Sequence, residues 1–268
     1  KGFYKEVGLD VEIKEFKQDF YLTDTVLNGN TDFGVNSSSI IMDKANGKDI
    51  VLLGTVFQSS PLILLALKDS NINNLNDMVD KKIMLANNQK DFGIFRSMFR
   101  NQDIDPNYLT FVPHTFKIDD LINKNADVMS AYSTNELFLV KEKGYETTIF
   151  DPKDFGFDFY DDILFTSNEF AEKNPQLVKD FYDASIKGWE YSFNNIEEVS
   201  KLIYEKYNTQ NKSLESLIFE ANEMKKLVYD KDGKIGTIRR DKLNLIINTY
   251  KVMELIKNGK TELSFFYN

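Results

Sequence analysis

Apolar residues along the chain alternate between strand-like runs and helical spacing. The most strand-like runs are 49–57 and 62–67, which are apolar almost throughout and are separated by a polar turn. Continuous apolar runs of this length are typical of buried strands. Shorter strand candidates, interleaved with amphipathic helical segments, occur at residues 9–16, 32–35, 82–86, 109–112, 127–132, 147–150 and 163–166. Strands that alternate with helices predict an α/β fold with mostly parallel sheets.

The pattern changes after residue 168, where strand-like runs end and helical spacing continues, interrupted by turns. This change predicts a helical C-terminal layer. No internal repeat, low-complexity tract or Pro/Gly-rich linker divides the chain, so two lobes would have to share it through crossover strands. The candidate crossings are 62–67 on the way out and 163–166 on the way back. The expected division places residues 1–62 and 164–268 in lobe 1 and residues 63–163 in lobe 2.

Composition narrows the classes of function. The chain has 268 residues, of which 42% are hydrophobic, and this is enough to bury a sizeable core. The formal net charge is -9 and no cluster of Lys and Arg occurs. These features exclude nucleic acid as a partner, because its phosphates require a basic surface. The chain contains no cysteine, so disulfides, thiolate metal sites and cysteine nucleophiles are excluded.

The start of the chain suggests processing. It begins at Lys1 without an initiator Met, and neither an apolar signal region nor an apolar run long enough for a membrane span follows. We therefore expect that a segment upstream of Lys1 has been removed.

Polar residues follow two of the predicted strands and open the next helices. Asn36, Ser37 and Ser38 follow the strand at 32–35, and Asn87 follows the strand at 82–86. In open α/β sheets, ligands bind outside the carboxyl ends of strands, where helix N termini supply free N–H groups. These residues are therefore candidate ligand contacts in a cleft between the lobes. The alternative is ordinary N-capping, which Ser and Asn perform routinely.

Other motifs lack the partners that their chemistry requires. His114 is the single histidine, and catalysis through it would need an oriented partner and a nucleophile, so a surface or hinge role is favoured. The run that begins at Asp230 approaches a calcium loop, but Ile235 and Asp241 occupy the positions that require Gly and Glu. No Walker-type loop, G-x-G-x-x-G or HExxH motif occurs. We expect no catalytic residue, no metal and no cofactor.

Seven segments, in this order and spacing, carry a resemblance to a known family. They are Lys1-Gly2-Phe3-Tyr4, Val7 to Val11, residues 30–39, Ile83-Met84, Ala131 to Glu136, Asp158-Phe159-Tyr160 and Lys187-Gly188-Trp189. They resemble the substrate-binding proteins for thiamine pyrimidine precursors and their nitrate, taurine and riboflavin-type relatives, and the likeness covers essentially the whole chain. The resemblance implies a two-lobed periplasmic-binding-protein type II fold that works outside the cytoplasm and is not an enzyme.

The resemblance adds candidate site residues in both lobes. Glu136 begins a helix directly after a strand, beside Tyr132 and Asn135, where a carboxylate can accept a hydrogen bond from an aminopyrimidine or ammonium group. An acid in a first helical turn is also favourable without any ligand, and the resemblance favours binding. Tyr160 and Asp162 precede the return crossing, where an aromatic platform for a flat heterocycle or simple hinge packing is expected. Gln58, beside the outward crossing, completes the predicted set.

The expected function is reversible capture of a small heterocycle resembling a thiamine pyrimidine precursor, with closure of the two lobes. The partner is either the membrane permease of an ABC transporter or the protein's own membrane-tethered signalling domain, a histidine kinase or diguanylate cyclase. In the second case the chain is an extracytoplasmic sensor domain that is membrane-anchored in the full-length protein. A pyrimidine-converting enzyme on the same fold is the alternative from another class.

Overall fold

The computed structural model describes residues 1–14, 21–86 and 89–256, without the side chains of residues 89–92. The chain divides into two compact units. Unit 1 comprises Lys1–Gln58, Tyr160–Ile196 and the segment that begins at Leu227; unit 2 comprises Ser59–Phe159 and Glu197–Lys226. The units differ from the predicted lobes at residues 197–226 and 59–62, which group with unit 2, and at residues 160–163, which group with unit 1.

Strands and helices are interspersed up to β8, and only helices follow it among the described residues. The strands are β1 Phe33–Asn36, β2 Ile50–Phe57, β3 Leu62–Leu67, β4 Lys82–Leu85, β5 Thr110–Pro113, β6 Val128–Tyr132, β7 Thr147–Phe150 and β8 Asp161–Ser167. The helices are α1 Phe3–Glu6, α2 Leu22–Leu27, α3 Ser39–Ala45, α4 Gln89–Arg100, α5 Asp119–Ile122, α6 Glu136–Glu142, α7 Asn168–Lys173, α8 Pro175–Asn194, α9 Ile196–Lys206, α10 Leu214–Val228 and α11 Arg240–Val252. This order confirms the α/β class and the helical C-terminal layer.

Unit 1 contains a three-stranded sheet in the order β1-β8-β2. Both β1 and β2 pair antiparallel with β8, so β8 is the central strand. On its free edge, β2 makes an isolated backbone bridge between Thr55 and Gly236. The strand is buried along almost its whole length, as its continuous apolar run predicts.

Unit 2 contains a five-stranded sheet in the order β5-β4-β6-β3-β7. Strand β3 lies between β6 and β7, and every one of its residues is buried. The core on one side of this sheet is formed by apolar side chains from β3, β4, β6 and the helices that follow them, and it includes Leu65, Met84, Leu121, Met129 and Val140. This core holds the strand ends that carry the candidate site residues.

The expectation of mostly parallel sheets is wrong for the described strands. Strand β4 pairs in parallel with β5 and with β6, whereas the other pairs, β1–β8, β2–β8, β3–β6 and β3–β7, are antiparallel. A continuous apolar run indicates that both faces of a strand are buried. An antiparallel strand that is covered on both faces also has such a run, so the run does not determine strand direction. The predicted strand at 9–16 also does not form in its described part, residues 9–14.

Candidate functional site

The predicted residues of unit 1 gather at one edge of its sheet. Because β1 and β2 both run antiparallel to β8, their carboxyl ends lie at the same edge as the amino end of β8. In the register, Asn36 lies opposite Ile163 and Phe57 lies opposite Asp161. The residues that follow β1 and β2 and those that begin β8 are therefore neighbours in space, although more than 100 residues separate them in sequence.

A hydroxyl and amide network follows β1. The Asn36 side-chain oxygen accepts a hydrogen bond from the Ser37 backbone N–H at 2.9 Å, and the Ser37 and Ser39 hydroxyls lie 2.9 Å apart. All three side chains are half-buried, so a small polar molecule can reach them. Each hydroxyl can both donate and accept, and the network therefore offers a ligand either kind of hydrogen bond.

Three other predicted residues of unit 1 are hydrogen-bonded in its interior. The fully buried Ser38 hydroxyl lies 2.7 Å from the hydroxyl of Tyr250, which donates to it. The buried Tyr160 hydroxyl accepts from the Arg239 backbone N–H at 3.0 Å. The Gln58 amide donates to the Thr237 carbonyl at 2.9 Å. These bonds weaken the hypothesis that Ser38, Tyr160 and Gln58 contact a ligand.

Asp162 has an unusual backbone conformation at the start of β8. Its φ is 48°, in the left-handed region that non-glycine residues rarely occupy, although Asp tolerates it better than most. Its backbone N–H donates to the Asp161 carboxylate at 3.1 Å, and its side chain is half-buried. An unusual conformation at a strand end is found often at functional sites, and Asp162 remains a candidate ligand contact.

The predicted residues of unit 2 also share a sheet edge. Strands β5, β4 and β6 run parallel, so all three end at the same edge. Asn87, which follows β4, lies outside the described residues. Tyr132 ends β6 with its side chain 42% exposed, and Asn135 and Glu136 follow at the start of α6. Parallel strand ends of this kind form the ligand side of open α/β sheets.

The Glu136 carboxylate is partly satisfied by its own loop. One oxygen accepts from the Tyr132 backbone N–H at 2.8 Å, and the other accepts from the Asn135 side-chain amide at 3.0 Å. A carboxylate has about four lone-pair positions, so acceptor capacity remains for a ligand. The Asn135 amide oxygen is buried and has no hydrogen-bond partner among the described residues, which makes it a second available acceptor.

Residues His114 to Phe116, which were not among the predicted site residues, follow β5 at this same edge. Phe116 is 72% exposed there, and the exposed Tyr132 ends β6 at the same edge, with β4 between β5 and β6. The rule that selected Asn36 and Asn87, a turn directly after a predicted strand, applies equally to the strand predicted at 109–112.

Unit 2 also contains a shallow concavity lined by residues that include Ser60, Ile94 and Phe157. Its wall includes an ion pair between Lys153 and Asp151, whose charged atoms lie 2.7 Å apart. The hydrogen bond from Lys153 to Asp151 raises the pKa of the lysine above its ordinary value. None of the predicted site residues lines this concavity.

Neither a metal site nor a membrane-spanning helix is found in the part of the chain that the structure describes. Within residues 1–14, 21–86 and 89–256, no group of three or more His, Cys, Asp and Glu side chains is arranged to hold a metal ion. Over the same ranges, no helix is both long enough and apolar enough to cross a bilayer.

Comparisons with known proteins agree with this architecture. Residues 1–199 match the family described as NMT1/THI5 like. A protein of Legionella pneumophila named 4-amino-5-hydroxymethyl-2-methylpyrimidine phosphate synthase is 28% identical over 209 residues, which are 75% of this chain and 65% of that protein. A protein of Halalkalibacterium halodurans named formylaminopyrimidine-binding protein is 21% identical over 206 residues, 75% of this chain and 62% of that protein. The chain thus spans just under two thirds of the length of these curated relatives.

A solved structure shows the same fold. The periplasmic aliphatic sulphonate binding protein of Escherichia coli superposes with a TM-score of 0.68 at 12% identity, covering 88% of this chain and 75% of that one. At this identity the likeness establishes the fold alone, which is that of periplasmic binding proteins. The family match extends over more than half of the chain and confirms the resemblance found in the sequence. The chain belongs to the NMT1/THI5-like family.

Proposed function

We propose that this protein binds a small nitrogen heterocycle of the aminopyrimidine type reversibly and without chemical change. The observation that carries the proposal is the Tyr132 to Glu136 loop, where a carboxylate with remaining acceptor capacity and an amide oxygen without a described partner lie side by side. An amino group on a flat ring donates two N–H bonds, and these two acceptors match it. The formylaminopyrimidine-binding relative supports this ligand class.

The polar groups of unit 1 supply a complementary set of contacts. At the end of β1, Asn36 offers an amide and Ser37 offers a hydroxyl. At the start of β8, Asp162 offers a carboxylate. We propose that these groups bind polar atoms of the ligand. The proposed division for this binding is still two lobes, residues 1–62 with 164–268 and residues 63–163. It is changed at residues 197–226, which group with unit 2.

A pyrimidine-converting enzyme is the second candidate, because one relative is named a synthase. The single histidine argues against it. His114 uses Nε2 in a 2.7 Å hydrogen bond with the Ser130 carbonyl and Nδ1 to accept from the Phe116 backbone N–H at 2.8 Å. Both ring nitrogens are therefore engaged by backbone groups, and the chain has no cysteine to act as a nucleophile.

Isothermal titration calorimetry with 4-amino-5-hydroxymethyl-2-methylpyrimidine and with a formylaminopyrimidine tests the proposal. We expect one of them to bind and an aliphatic sulfonate to fail, since acidic groups at both sheet edges oppose an anion. Recovery of the bound molecule by denaturing the complex, followed by mass spectrometry, separates the two candidate functions. A binding protein returns the ligand at its original mass, whereas a product of altered mass would establish the enzyme. Preference for the sulfonate would refute the aminopyrimidine assignment.

The partner that reads the bound state is a membrane protein in either version of the proposal. We propose an extracytoplasmic location and the permease of an ABC importer as the partner, since the fold is that of periplasmic binding proteins. The alternative is the input domain of a membrane-tethered histidine kinase or diguanylate cyclase. The sequence of the full-length gene discriminates between them, because only the sensor carries a signalling domain on the same polypeptide.

A further inference from the structure

The His114 ring holds the turn that follows β5 in one tautomer. Its Nε2 lies 2.7 Å from the Ser130 carbonyl oxygen, which can only accept, so Nε2 carries the hydrogen. Its Nδ1 accepts from the Phe116 backbone N–H at 2.8 Å, so Nδ1 carries none. The acceptor nitrogen Nδ1 thus closes a turn in which a side chain bonds to the backbone two residues ahead.

Phe116 is held in a conformation that a bulky residue avoids. Its φ is 61°, which lies in the left-handed region and is an outlier for a bulky side chain. Its ring is 72% exposed, so burial of the ring does not explain the conformation. The ring lies beside the His114 imidazole, with 4.6 Å between the ring centres. Strain that is not offset by burial points to a functional constraint on the ring position.

The turn is anchored at two further points. The His114 backbone N–H donates to the Leu85 carbonyl at the end of β4, at 3.0 Å. The Thr115 hydroxyl donates to the Asp120 carboxylate at 2.5 Å, and this bond holds the pKa of Asp120 below its ordinary value. The turn is therefore fixed to β4 through Leu85, to β6 through Ser130 and to α5 through Asp120. The Phe116 ring remains largely exposed.

We propose that Phe116 is the aromatic surface on which the heterocycle stacks, and that His114 is a positioning residue that acts through Phe116. This inference rests on the proposed function and names the part of the ligand, its flat π face, that unit 2 recognises. Phe116 follows β5 and Tyr132 ends β6, and both strands run parallel to β4, so the two exposed rings lie at the ligand side of the sheet. A flat heterocycle stacks on such a ring whatever its polar substituents are.

Tyr108 provides a matched comparison within the same unit. Its ring is 74% exposed, much like that of Phe116, but it precedes β5 and so lies at the opposite edge of the sheet. It does not have a positive φ. Tyr108 is therefore an ordinary exposed aromatic residue, and replacing it tests the effect of losing an exposed ring away from the proposed site.

The first experiment measures the affinity for 4-amino-5-hydroxymethyl-2-methylpyrimidine in variants at these two positions. Phe116→Gly removes the ring, and glycine adopts the positive φ readily, so the turn is preserved. We expect it to weaken binding about tenfold or more, the effect of losing one ring–base stack. Phe116→Tyr should restore the affinity, and Tyr108→Ala should leave it unchanged. Thermal melting of every variant checks that the fold is intact.

The second experiment tests the positioning role of His114. In His114→Asn the side-chain oxygen takes the place of Nδ1 and accepts from the Phe116 N–H, whereas His114→Ala leaves that N–H without its acceptor. We expect His114→Ala to weaken binding and His114→Asn to restore most of it. In the Phe116→Gly background, His114→Ala should add no further loss, because the two residues act as one unit.

The outcomes separate this inference from the proposed function. If the wild-type protein binds neither pyrimidine, the proposed function fails and the stacking role fails with it. If the wild type binds a pyrimidine and Phe116→Gly binds it equally well, only the stacking role is overturned. Additive losses from the Phe116 and His114 variants would overturn the positioning role of His114 and leave the stacking role standing.

Discussion

At the scale of single residues, Glu136 is the most sharply defined candidate for a ligand contact. Glu136→Gln keeps the shape of the side chain but removes the charge that would strengthen a bond to a ligand amino group. We expect the free energy of binding to weaken by about 1.5–3 kcal/mol, the range for a hydrogen bond to a charged group. Calorimetry on the variant measures it.

The control for this change is the melting temperature, because Glu136 also accepts from the Tyr132 N–H in its own loop. Loss of an acid in a first helical turn costs only about 0.3–1 kcal/mol of stability, so the fold should survive. Unchanged affinity in a folded variant would remove Glu136 from the site.

Adjacent serines separate binding from stability. Ser37 is half-buried at the sheet edge, so Ser37→Ala should weaken ligand binding with little effect on the fold. Ser38→Ala deprives the buried Tyr250 hydroxyl of its acceptor, and we expect a loss of about 1–3 kcal/mol in the free energy of unfolding. Paired calorimetry and chemical denaturation measure both effects. The prediction is contradicted if Ser38→Ala unfolds at the same denaturant concentration as the wild type.

The contrast between Ser37 and Ser38 shows how far the sequence predicts a site. The rule that ligands lie beyond strand ends selected Asn36, Ser37 and Ser38 as a group, and the structure brings them to one sheet edge. It does not tell which hydroxyl turns inward, because the partner of Ser38 is 212 residues away in sequence. Only the three-dimensional contact assigns Ser38 to the interior.

At the scale of elements, the close approach of β2 to the segment around Gly236 requires a glycine. A Cβ at Gly54 would lie 2.4 Å from the Gly236 carbonyl oxygen and 2.6 Å from the Tyr182 ring. Gly54→Ala should therefore destabilise unit 1 by about 1–3 kcal/mol through overpacking. Denaturant unfolding of the variant measures the change.

Gly188 in α8 is the matched control for this substitution. A Cβ there would meet only Phe3, at 3.8 Å, which is an ordinary contact. Gly188→Ala should be neutral or should stabilise the protein by up to about 1 kcal/mol, because alanine favours a helix interior. Equal destabilisation by both variants would show that the approach of β2 to Gly236 is not tight.

The apolar runs predicted where the strands lie in the sequence, but not how the strands pair. The runs at 49–57 and 62–67 correspond to β2 (Ile50–Phe57) and β3 (Leu62–Leu67) almost residue for residue. The direction of pairing was not predictable in the same way, because β3 is buried between two antiparallel neighbours and has the same apolar run as a buried parallel strand. Strand direction depends on contacts between segments distant in sequence.

At the scale of the whole molecule, the chain passes between the two units more often than expected. The sequence suggested one outward and one return crossing, whereas the described chain changes unit after Gln58, Phe159, Ile196 and Lys226. The extra passages arise because most of α9 and most of α10 group with unit 2. A contact between Phe138 and Phe219, whose ring centres lie 5.1 Å apart, joins α10 to α6 of that unit.

Any rotation of the units on ligand binding must be absorbed at these passages, since hinges are a few residues at the ends of elements. Two backbone hydrogen bonds flank them: Gln58 N–H donates to Leu227 and Ser60 N–H donates to Phe159, each at 2.8 Å. We propose that ligand closes the units, and we expect the radius of gyration from solution scattering to fall when wild-type protein is saturated with ligand. Glu136→Gln at the same ligand concentration should show a smaller fall, because less of it is occupied. If calorimetry shows saturation and the scattering curve is unchanged, closure is refuted, and the ligand binds to units that keep their arrangement.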